Sequence, residues 1–229
     1  MTIEPRERAD QLEQLARDRY SCRAFRPDAL PRATIDRILA IAQRSPSWCN
    51  SQAWQLTVGS AAATDRARSA LLAHVQQGGA AQPDLDWPRE YRGVYLQRRR
   101  ECGFQLYAAT GVARGDKEAG ERQRLENFRF FGAPHVAIVT TEEPLGTYGA
   151  IDCGAYVAMF MLAARACDVA SIAMTALTAY ADFWREQWGL DPQRQVVCGL
   201  AFGFEDPAHP ANGFRTSRAA VGDAVQWIE

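Results

Sequence analysis

Lysine is almost absent from this 229-residue chain: Lys117 is the only one, and the other 25 basic residues are arginines. Against 27 acidic residues they leave a net charge of −1, so no field of one sign attracts nucleic acid or an anionic membrane. Histidine is scarce as well. The three, at positions 74, 135 and 209, stand far apart, and the six cysteines (22, 49, 102, 153, 167 and 198) contain no CxxC pair. A structural zinc site needs closely spaced ligand pairs, so the expectation is no metal and free thiols in a reducing cytoplasm. The start, MTIEPRERADQ, has no apolar run before a cleavage site, which argues against a secretory signal. The uncharged, mostly apolar stretches from Asp152 to Arg165 and from Asp168 to Asp182 are about a dozen residues each, short of the ~20 that span a bilayer. Also missing are GxGxxG after a strand, a Walker loop, a GxSxG elbow and HExxH, so Gly-rich dinucleotide binding by a Rossmann unit is not expected.

What remains is an ordinary globular composition, 47% hydrophobic and 23% charged, of a size that fits one domain with a proper core. Local signals predict a helix over Pro5–Asp18 and a second from near Pro31, whose Ile35, Ile38, Leu39 and Ala42 share one face. Ser45-Pro46-Ser47 stops it, because a residue before proline is pushed out of the helical region. A strand over Trp54–Val58, a helix over Ala63–Gln76 and a Gly/Ala/Pro-rich connection from Gly78 to Trp87 follow. Pro88 suits the first turn of a long helix that Gly111 ends, and Lys117–Phe131 reads as another helix. His135–Thr141 is a β-branched buried strand. Thr147–Cys167 is so apolar that it is expected to be buried on most sides, against a subunit interface. A short helix over Tyr180–Gly189 and a core strand over Gln195–Phe204 precede a polar tail from His209, which ends in apolar Val225, Trp227 and Ile228. The reading is a single α+β domain over 1–229, with a tail (about 209–229) suited to wrapping a partner surface.

Two loops carry the chemistry. In Arg19-Tyr20-Ser21-Cys22-Arg23 an extended backbone points alternate residues the same way, so Arg19, Ser21 and Arg23 can converge on one ligand. Two guanidiniums and a hydroxyl suit phosphate oxygens, which arginine binds through paired, charge-assisted hydrogen bonds; a plain polar surface loop is the other reading. Pro46-Ser47-Trp48-Cys49-Asn50-Ser51-Gln52 offers amides, which both donate and accept and so suit a heterocycle edge; support of the loop backbone is the alternative.

Taken together, these loops resemble the FMN-dependent nitroreductase family, in its nitroaromatic-reductase branch. Arg19–Arg23 is similar to its R-x-S-x-R/K flavin motif and Pro46–Gln52 to its P-S-x-x-N-x-Q segment. The likeness runs in order through Asn127–His135, Ala163–Ala166, Ala170–Leu177, Val197–Gly203 and Asn212–Arg218. It implies a central, mostly antiparallel sheet flanked by helices, in an intertwined homodimer with FMN at each of two interfaces. It also implies ping-pong electron transfer from NADH or NADPH to a small-molecule acceptor such as a nitroaromatic or a quinone. No protein residue is then catalytic in its own right, since the flavin N5 carries the hydride.

By position, the resemblance assigns Arg19, Tyr20, Ser21 and Arg23 to the phosphate and pyrimidine edge, with Arg23 near N1 and O2. Pro46, Ser47, Trp48, Asn50 and Gln52 would reach the flavin of the other subunit. The backbone of Ala173, Met174 and Thr175 would run beside the ring and donate to N5, and Arg215 and Arg218 would close on the phosphate. Phe104, Tyr107, Phe128 and Phe131 are expected substrate-pocket walls. Ala53 stands where many relatives carry proline, and Met174-Thr175 replaces Pro or Glu-Gly of other branches, so substrate-facing side chains would differ. Reductive dehalogenation, heterocycle dehydrogenation and non-enzymatic flavin binding are the alternatives on the same fold.

Overall fold

The computed structural model describes residues 4–229. Its frame is a four-stranded antiparallel sheet in the order β1-β2-β4-β3, from β1 (Gln55–Val58), β2 (His135–Glu142), β3 (Ala170–Met174) and β4 (Arg194–Gly203). Successive side chains of a strand face opposite sides, and β2 uses both. Val136 and Ile138 join Leu71, Phe130 and Trp184 on one face, while Ala137 and Val139 join Ile38, Tyr156 and Phe160 on the other. Helices α3 (Ala61–Gln76) and α7 (Ala181–Trp188) therefore cover the first face, and α2 (Arg32–Ala42) and α6 (Gly146–Ala166) the second. Helix α1 spans Pro5–Asp18, as its sequence predicts.

Several expectations need correction. The long helix α4 runs Gly93–Thr110, and Pro88 lies outside it. Extended Arg92 (φ −120°, ψ 157°) and left-handed Gly93 (φ 51°) set its start. It buries no residue completely, so it stands away from the core. Helix α5 covers only Lys117–Leu125: Phe130 and Phe131 take φ of 55° and 52°, which turns the chain into β2. Strand β3 was not anticipated as a strand; it follows Asp168 (φ 56°) inside an uncharged stretch without a glycine or proline to mark it.

Helix α6 is long and apolar enough to cross a membrane by length and composition, against the expectation from its uncharged run alone. It is nonetheless buried on one face rather than most sides. Asp152, Cys153, Tyr156, Phe160, Ala163 and Ala164 lie inward, whereas Tyr148, Ile151, Gly154 and Ala158 are exposed. Gly149 lets the helix begin against β2, because a Cβ there would stand 2.5 Å from the Thr141 Oγ1. That close approach places Asp152, three residues on, over the Trp48 loop.

Candidate functional site

The segment after α1 runs beside β3, where the Cys22 N–H donates to the Ser171 carbonyl (3.2 Å). From this loop Arg19, Tyr20, Ser21 and Arg23 line a cavity of about 650 Å³, whose opposite wall is Phe214, Arg215, Thr216 and Arg218. The two ends of the chain thus build one pocket. Cys102 of α4 borders it as well.

Its charges are unbalanced. Arg19, Arg23, Arg215 and Arg218 take part in none of the ion pairs among the described residues. The one acid lining the cavity, Glu13, pairs with Arg17. Burial holds the Arg23 guanidinium below its usual pKa, and burial together with the nearby Arg218 charge does the same for Arg19. Clustered, partly desolvated cations without a carboxylate partner are stabilised by a bound anion.

Local contacts fix the directions of these groups. Arg23 Nη1 donates to the Ser21 carbonyl (3.1 Å). Arg215 lies 3.5 Å above the Tyr20 ring, and the Tyr20 hydroxyl donates to Glu205 Oε2 (2.5 Å). Burial and that bond push the phenol pKa up, so Tyr20 remains a donor. Arg218 Nη1 donates to Thr216 Oγ1 (2.9 Å) and to the Ser217 carbonyl (2.9 Å).

Pro46, Ser47, Trp48, Asn50 and Gln52 lie outside this cavity. Their loop is strained, with Cys49, Asn50 and Gln52 at φ of 50°, 55° and 49°. Asp152 holds it: its carboxylate accepts from the Trp48 N–H (3.1 and 3.2 Å) and the Ser51 hydroxyl (3.1 Å). Ser47 Oγ accepts from the Gln52 N–H (2.9 Å), and the Gln52 side chain is engaged by Gln43 (3.1 Å). Trp48 packs edge-on against Tyr148, 4.5 Å between centroids, and is otherwise exposed. Gln52 therefore supports the loop, while Trp48 and Asn50 face outward.

At the end of β3, Ala173 and Thr175 are exposed and Met174 is buried. A substrate-facing Met174 side chain is thereby corrected: it belongs to the core with Leu177 and Ile172. Two of the four expected pocket walls are also core. Phe128 is 4% exposed against Tyr180, and Phe131 is 5% exposed beside Phe130. Only Phe104 (63% exposed) and Tyr107 remain available, on a groove between α4 and α5.

Two residues of the site had no role assigned from sequence. Asp152 carried a signal, being the one charge early in an apolar helix. Asn212 opens the last stretch of family likeness, yet an asparagine before glycine, two residues after Pro210, reads locally as an ordinary turn. Among the described residues no group of three or more His, Cys, Asp and Glu side chains is placed to hold a metal ion.

Comparison with known proteins identifies the family. The chain is 35% identical over 223 residues to nitroreductase NfnB of Mycolicibacterium smegmatis, covering 96% of this chain and 93% of the relative. A 4-nitrobenzoate reductase of Nocardioides sp. is 28% identical, over 93% of this chain and 88% of its own length. Among solved structures, the FMN-dependent nitroreductase NfnB from Mycobacterium smegmatis, in complex with NADPH, superposes with a TM-score of 0.92 at 33% identity, over 96% of this chain and 99% of that one. The sequence model of the Nitroreductase family matches residues 16–204. With that match, the shared fold and the likeness over nearly its whole length, this chain belongs to the Nitroreductase family.

Proposed function

We propose that this protein is an FMN-dependent NAD(P)H oxidoreductase that reduces nitroaromatic or quinone-type acceptors. The observation that carries the reading is the two-ended cavity in which four arginines lack carboxylate partners, a cradle for a phosphate dianion. The names and ligands of the NfnB relative support FMN as cofactor and NADPH as one donor. When bound, FMN supplies the hydride chemistry, taking two electrons from a nicotinamide and passing them to the acceptor in ping-pong order.

The chain's own residues bind and tune. Arg19, Ser21, Arg215 and Arg218 would hold the phosphate. Arg23, fixed by Ser21 and partly desolvated, would set a positive charge beside the pyrimidine edge, where reduction places negative charge. The backbone at Ala173–Thr175 would donate to the ring, and Phe104 and Tyr107 would border the acceptor. Pro46, Ser47, Trp48 and Asn50 would serve the partner's flavin in a homodimer, with Gln52 behind them. The exposed stripe Tyr148, Ile151 and Ala158 on α6 suits that interface. The tail from 209, with Trp227 and Ile228 bare, suits wrapping of the partner. The proposed setting is the cytoplasm, with neither nucleic acid nor membrane as partner.

The test is an absorbance spectrum of the purified protein before and after anaerobic NADH or NADPH. Flavin bands that bleach, then recover on adding a nitroarene, are expected. A colourless protein that FMN cannot reconstitute would overturn the reading.

A further inference from the structure

Asn212 sits where the carboxyl-terminal tail leaves the core, and its buried side chain meets the opposite end of the chain. Its Oδ1 accepts from the Arg23 N–H (2.8 Å), while Nδ2 donates to the Ala24 carbonyl (2.9 Å) and to the Asp206 carbonyl (2.9 Å). Both amide hydrogens and the oxygen are in use. The Asn212 carbonyl also accepts from Arg215 Nη1 (2.8 Å). One residue therefore touches Arg23 by its side chain and Arg215 by its backbone.

We infer that Asn212 is the positioning residue that sets the spacing between the amino-terminal arginines (Arg19, Arg23) and the carboxyl-terminal ones (Arg215, Arg218), and thereby sets selectivity for a phosphorylated flavin. The inference rests on the FMN reading above. No other side-chain type of this size both accepts from an N–H and donates to two carbonyls. Aspartate offers only acceptors when ionised, and leucine leaves one donor and two acceptors without partners inside the protein. The loop geometry at Arg23 and the exit direction of the tail are thus fixed by the same amide. Arg215 stacked on Tyr20 continues the alignment, three residues further along the tail. Asn212 is not placed against the ligand; its effect on the cavity is transmitted by the arginines.

The test compares affinities for FMN and for riboflavin, which lacks the phosphate, by fluorescence titration of the full chain. Replacement Asn212→Ala is expected to lower the FMN-over-riboflavin preference by about tenfold or more, as charge-assisted contacts lose alignment. In an Arg215→Ala/Arg218→Ala background, the same replacement should change that preference little, because the carboxyl-terminal arginines whose spacing it sets are gone. A residue that merely stabilises the fold would weaken both flavins equally, and that result, or an unchanged preference, overturns the inference. Asn212→Ser, which keeps an acceptor for the Arg23 N–H, carries the same test should the alanine variant not be recovered folded, with a smaller fall expected. A wild-type chain that binds neither flavin would instead remove the FMN reading, and this inference with it.

Discussion

The two loops that resemble flavin motifs solve opposite problems. The Arg19–Arg23 loop and its tail partner gather four cations that have no acid to meet, so their electrostatics are unfinished within the described chain. The Pro46–Gln52 loop carries no charge and is nearly complete internally. Its three left-handed residues are held by Asp152, Gln43 and Ser47. One region is prepared for a ligand by what it leaves unpaired. The other is prepared by conformational strain that its neighbours have already satisfied. Removing an arginine from the first should therefore change binding, and removing a support of the second, such as Asp152, should change folding.

Four substitutions sharpen that contrast. The largest effect is expected from Asp152→Ala, which strands the Trp48 N–H and frees a strained loop. It should lower unfolding free energy by about 3 kcal/mol in urea titration, and a loss under 1 kcal/mol would place the loop's support elsewhere. Arg23→Ala should leave stability nearly intact but weaken FMN binding by roughly 2–3 kcal/mol and lower the flavin reduction potential. Unchanged FMN content and potential in that variant would remove Arg23 from the site. Arg218→Ala, more exposed and more screened, should cost about 1.5 kcal/mol of FMN affinity, with the loss shrinking as salt rises. Phe104→Ala should shift stability by no more than about 0.5 kcal/mol, while KM for a nitroarene changes. An unfolding midpoint that moves substantially would make Phe104 a packing residue like Phe128.

Much of this was legible in the chain itself. Helix α1 and strand β2 announce themselves through a proline-led polar helix and a β-branched run after Pro134. The convergence of Arg19, Ser21 and Arg23 could be argued from alternation alone, because an extended segment leaves few options. Other features depended on tertiary contacts that no local pattern encodes. Phe128 and Phe131 are expected as pocket walls at the end of a helix continued to Phe131. Only the left-handed turn at Phe130 and Phe131 carries them into the core. Met174 reads as a substrate-side residue until the pairing of β3 with β4 fixes which way it points. The role of Asn212 is hidden because its three partners come from Arg23, Ala24 and Asp206, two of them at the far end of the sequence.

That long reach has a consequence for biosynthesis. A ribosome adding about 5–20 residues per second releases Arg23 roughly 10–40 s before Asn212 and Arg215 exist. Throughout that interval the nascent chain carries half of the cavity and none of its closing wall. Cofactor loading then waits until Arg215 and Arg218 have been translated. A message truncated upstream of Asn212 would yield chains with their sheet residues complete and no flavin, so colour in a cell lysate would count only chains that extend past Arg218.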